Sequence, residues 1–129
     1  MRGTKPAMRE DAAPLGVLPP PDWLADDAAA EWRRVMPILE ERRILTEADL
    51  GSLENYAIAI GTVREMERRL QQDGHVIETE HGLKRHPAVG VQSDAMTRAR
   101  LLAAELGLTP VSRSRPSIRD DGDADELLT

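Results

Sequence analysis

Apolar residues recur along this chain at helical spacing in three stretches and at strand spacing in one. The first stretch begins near Leu24, where Leu24, Ala28, Trp32, Val35, Met36 and Leu39 fall on one helical face. Asp26, Asp27 and Glu31 lie toward its N-terminus, and Arg42 and Arg43 close it, the order that suits the helix dipole. Pro37 sits inside the pattern and is expected to kink the helix or split it in two, because proline removes a backbone donor.

A second start signal follows. Thr46 precedes "EADL", with Asp49 three positions on, a capping-box arrangement. The helix it opens is predicted over 47–73, with Gly74 as its stop. Its apolar positions, among them Leu50, Leu53, Tyr56, Ile60, Val63 and Leu70, cover about half of the helical circumference, and Ile58 lies outside even that arc. A stripe facing one core is nearer 100° wide. The middle of this helix is therefore expected to have a second partner, and Leu53, Tyr56, Ile58, Ile60 and Val63 are the candidate contacts between copies of the chain.

The pattern then changes period. In "HVIETEHGLKRHP", Val76, Ile77 and Thr79 favour strand, His81-Gly82 marks a turn, and 83–86 return, which predicts a short hairpin. The last helix is predicted over 88–106, with Val91, Ala95, Ala99, Leu102 and Leu106 in a narrow stripe. Gly107 supplies a left-handed cap, Leu108 can fold back, and Thr109-Pro110 can start a new turn. Gly107, Thr109 and Pro110 thus form a structural turn that aims the arginines following it. The expected class is mainly α: a helical hairpin or bundle with a small β-hairpin, over 22–118. A proline-rich arm at 1–21 and an acidic tail at 119–129, both expected to be disordered, flank it.

Composition narrows the chemistry. Among 129 residues only Trp23, Trp32 and Tyr56 are aromatic and there is no Phe, so the core must be built of aliphatic side chains. Cysteine is absent, which excludes disulfides, thiolate metal sites and a thiol nucleophile. No apolar run is long enough to span a bilayer and the N-terminus lacks a signal-peptide core, so a soluble, cytoplasmic protein without a membrane partner is expected. No phosphate-binding loop or nucleophile elbow occurs. His75, His81 and His86, with Glu78 or Glu80, could gather round a metal, but a solvated hairpin with incidental histidines is the simpler reading. Neither a cofactor, a metal nor an enzymatic activity is expected.

The net charge of −6 argues against a protein that coats DNA on its own. It is concentrated, however: the last ten residues hold five acids and no base. Arg33-Arg34 and Arg68-Arg69 have acids beside them and read as a solvated face. Arg113, Arg115 and Arg119 are less balanced, since nothing acidic lies between Glu105 and Asp120. With Arg42, Arg43, Lys84 and Arg85 they are the candidate contacts to DNA phosphate, set against the alternative that they pair with acids of a neighbouring subunit. The stretch "EERRILTEADLGSLENYA" has the outline of a helix-turn-helix reader, but its second helix is too apolar to face base edges.

Taken together, "PPPDWL" at 19–24, Trp32, "ILTEADLGSLENYA" at 44–57, Gly74 before the hairpin, "HP" at 86–87 and "ELGLTPVSRSR" at 105–115 resemble the phage terminase small subunits. The resemblance implies a non-catalytic protein that assembles into a homo-oligomeric ring and recognises viral double-stranded DNA at the packaging start site. It also implies regulation of the large terminase subunit, which carries the ATPase and the nuclease. By position, Gly107, Thr109, Pro110 and Arg113 fall in the signature of that family. A helical oligomeric adaptor for protein partners and a helix-turn-helix regulator are the alternatives.

Overall fold

A computed structural model describes residues 16–110. Within them the order is α1 (Asp26–Arg42), a 3-10 turn (Glu47–Asp49), α2 (Leu50–Asp73), β1 (Val76–Thr79), β2 (Gly82–Arg85) and α3 (Pro87–Glu105). The fold is mainly helical with one antiparallel hairpin, as the periodicity predicts, in the register Val76↔Arg85 to Thr79↔Gly82.

α2 is the central helix and packs against both α1 and α3. One core joins Trp32, Met36 and Leu39 of α1 to Leu53, Tyr56 and Ala57 of α2, and Ala99 and Leu106 close it from the α3 side. Each boundary has a local cause. The Asp49 carboxylate accepts from both the backbone N–H and the hydroxyl of Thr46, at 3.0 Å each, so the predicted capping box closes the 3-10 turn that leads directly into α2. His86 Nδ1 accepts from the Ala88 N–H and caps α3, with Pro87 at its first position. The Trp32 indole donates to the Leu18 carbonyl at 2.9 Å and ties the proline-rich lead-in to the body.

Helices α1 and α3 end in the same way. Arg43 N–H donates to Glu40 O and Ile44 N–H to Leu39 O, and Gly107 N–H donates to Ala104 O and Leu108 N–H to Ala103 O. Both pairs are Schellman closures. At α3 the left-handed residue is the expected glycine, Gly107, with φ 73°. At α1 it is Arg43, with φ 54°, a conformation costly for a side chain with a β-carbon.

Two expectations change. Pro37 neither splits nor ends α1, which runs unbroken from Asp26 to Arg42. Both Pro37 and Arg33, whose carbonyl loses its helical donor, face solvent, so water can take the place of that hydrogen bond. The width of the apolar arc on α2 also has an explanation inside one chain, because a helix packed on two sides needs two stripes. Leu53 and Tyr56 are buried in this chain's own core, and Ile60 packs against it.

Candidate functional site

The α1–α2 contact is organised by a buried carboxylate. Glu31 is fully buried, and four donors converge on it. Arg34 Nε and Nη2 reach Oε1 and Oε2 at 2.8 and 2.6 Å, the Tyr56 hydroxyl donates to Oε2 at 2.6 Å, and Arg64 Nη2 donates to Oε1 at 2.8 Å. Burial pushes the Glu31 carboxyl up, but the hydrogen bonds from Arg34, Tyr56 and Arg64 outweigh it and hold the group below its ordinary value. Burial first, and the bond to Glu31 second, push Tyr56 up to about 12. The Glu31 bond likewise raises Arg34. One turn away Arg68 pairs with Asp27, again across α1 and α2. Arg34 and Arg68 thus pair with acids of α1, whereas Arg33 and Arg69 are exposed.

The candidate DNA-contacting cations fall into two groups. Arg42 is exposed at the end of α1, and its Nη1 makes a long hydrogen bond, 3.4 Å, to the Gly107 carbonyl beyond α3. Arg43 is exposed beside it. The α1 and α3 ends therefore meet, and a β-carbon on Gly107 would lie 3.4 Å from Ile44 Cδ1. Lys84 and Arg85 are exposed on β2, at the opposite end of α3, about 28 Å away at the helical rise. The two groups do not form one patch. Arg113, Arg115 and Arg119 lie outside the described residues, as does the acidic tail. Thr109 follows the Gly107 closure, and Pro110, the last described residue, has helical backbone.

The candidate assembly residues divide as well. Leu53 and Tyr56 are interior, Tyr56 serving as the Glu31 donor, and Ile60 and Val63 are half-buried. Ile58 is 41% exposed and lines an open groove of about 660 Å³ between α2 and α3. Ala59 from α2, and Val91, Ala95, Leu101 and Leu102 from α3, form the rest of its apolar wall. The predicted stripe on α3 is mostly buried against α2, with Ala95, Ala99 and Leu106 inside, but Val91 is exposed. Buried Gln92 ties the two helices beneath the groove, donating to the Val63 carbonyl and to Glu67 at 3.2 and 2.9 Å.

The histidines sit at both ends of the hairpin: at its open end the His86 N–H donates to the His75 carbonyl at 2.8 Å, and His81 stands at its turn. His86 caps α3, and its Nε2, which carries the proton in that tautomer, lies 2.9 Å from Asp73 Oδ2. His81 is exposed at the hairpin turn beside Glu80. Among the described residues no three metal-ligating side chains converge. No helix of these residues is long and apolar enough to cross a membrane. On the helix-turn-helix outline, α2 exposes only Gly51, Asn55 and Ile58 along its first turns, none of them cationic.

Against known proteins, the family model described as phage terminase, small subunit, matches residues 28–123. No curated protein and no solved structure matches the chain.

Proposed function

The chain belongs to the phage terminase small-subunit family, and from that premise we propose that it is the DNA-recognising, regulatory and non-catalytic component of a viral DNA-packaging motor. It self-associates into a ring, binds viral double-stranded DNA, and acts on a large subunit that carries the ATPase and nuclease.

The observation that carries the DNA-binding part is the meeting of Arg42 with Gly107. Arg42 and Arg43 stand at the end of α1 that meets Gly107, and Arg113, Arg115 and Arg119 follow Gly107 in the sequence. Nothing acidic lies between Glu105 and Asp120, so the sequence after Gly107 carries an uncompensated run of arginines, and phosphate binding needs such local excess. Contacts of this kind position a protein on the duplex and carry little sequence preference. The self-association part is supported by the open groove at Ile58, an apolar face left uncovered in a single chain. Repetition around an assembly would multiply weak individual contacts.

The test is the salt dependence of duplex binding. Replacing Arg42, Arg43, Arg113 and Arg115 by Ala is expected to weaken binding to specific and random duplexes alike. It should flatten the log–log salt slope by about one unit per lost contact. An unchanged slope would remove these residues from the DNA interface.

A further inference from the structure

One wall of the groove carries a second pattern. Val91, Asp94, Arg98, Leu101 and Glu105 follow one another at alternating steps of three and four on α3, line the groove, and are exposed. That is the a/d spacing of a coiled-coil seam, displaced to one side of the stripe that α3 buries against α2. Val91 is 48% exposed and Leu101 53%. Asp94, Arg98 and Glu105 make no ion pair or side-chain hydrogen bond among the described residues.

The order of residues on this seam is self-complementary in one direction. If a second α3 lies antiparallel with Val91 opposite Leu101 of the second copy, Asp94 falls opposite Arg98 of that copy. The two-fold axis repeats both pairs. The same register brings Glu105 to the first turn of the second α3, which has no acid of its own and whose dipole favours one. A parallel arrangement sets Asp94 beside Asp94 and Arg98 beside Arg98. Charge and apolar complementarity therefore select the antiparallel register, in which a and d positions oppose each other as antiparallel helices require.

We propose that the α2–α3 groove is a two-fold contact between copies of this chain, with the two α3 helices antiparallel, Val91 against Leu101 and Asp94 against Arg98. Ile58 of α2 flanks the seam and extends it. One helix pair is small for a protein interface, so this contact alone gives a weak, concentration-dependent dimer. A two-fold contact closes on itself, whereas a ring grows from head-to-tail contacts. The dimer is then a unit within the larger assembly, joined through other surfaces. This inference rests on the self-association reading above and specifies one of its contacts.

The chain has no cysteine, which makes the register directly readable. Full-length Val91→Cys and Leu101→Cys variants, mixed and oxidised, are expected to give a disulfide-linked dimer. Either variant oxidised alone should give none. Separately, Arg98→Asp is expected to weaken self-association about tenfold by setting like charges together. Adding Asp94→Arg to the same chain should restore it. Cross-linking of each variant with itself would show a parallel pairing and overturn the proposal. A parent assembly whose mass and concentration dependence ignore Arg98→Asp would also overturn it while leaving self-association intact. A full-length protein monomeric at every concentration would defeat both readings.

Discussion

Ala28 and Gly61 touch where α1 crosses α2: a β-carbon built on Gly61 would lie 2.9 Å from the Ala28 backbone nitrogen. The neighbour is main chain and cannot swing aside. Gly61→Ala gains about 1 kcal/mol of helix propensity but forces the helices apart, and overpacking of this kind costs typically 1–3 kcal/mol. Gly51, also in α2, has open space around its α-carbon. Denaturant melts are therefore expected to move in opposite directions, Gly51→Ala upward and Gly61→Ala downward.

Glu31 and Tyr56 give the fold a pH signature at both ends. The Glu31 carboxyl is lowered in the folded protein, so its stabilisation is complete above its ordinary value of 4.5 and is lost as pH falls below that. Tyr56 is raised from 10 to about 12, so its stabilisation is complete below 10 and is lost as pH rises through 10 to 12. Two units correspond to at most ~2–3 kcal/mol. Tyr56→Phe is expected to remove most of the alkaline loss, measured as urea midpoint against pH, and to cost about 1–2 kcal/mol at neutral pH. An alkaline limb unchanged in Tyr56→Phe would contradict this assignment.

Arg43 holds a left-handed backbone where α3 uses glycine for the same closure. Arg43→Gly is expected to raise stability by about 1 kcal/mol or slightly less. If the guanidinium contacts phosphate, the same substitution lowers duplex affinity. Stability and DNA binding measured on one variant should therefore move in opposite directions, and a gain in stability with unaltered binding would free Arg43 of that role.

Leu53 and Ile58, named together as assembly residues from the sequence, are expected to separate. Leu53 is fully buried and Ile58 lines the groove. Leu53→Glu should unfold the chain, since a buried unpaired charge costs several kcal/mol. Ile58→Glu should leave the circular-dichroism melt within about 0.5 kcal/mol of the parent and lower the mass of the assembly.

The elements were legible because their causes are local. The Thr46–Asp49 cap, the Gly74 stop and the Gly107 closure are each written within a few residues, and the switch to strand period at Val76 marks the hairpin. Burial was legible only in part. The width of the α2 arc reads equally as two partners in one chain or as one neighbour in another, because order along the sequence does not say which helix is central. Glu31 reads as a surface acid until its place is counted: three after Ala28 and four before Val35, it stands on the apolar face of α1, a signal that it is buried and paired. Gly61 in mid-helix is the corresponding signal for close helix approach. The left-handed Arg43 had no such sign, since no glycine marks that end.

The central claim, a self-associating small terminase subunit that binds duplex DNA, is tested most directly by the mass of the full-length protein measured alone and with viral duplex across a salt series. The expected result is a multi-subunit species that binds the duplex, with affinity falling steeply as salt rises. A monomer at all concentrations that leaves the duplex free at low salt would contradict it.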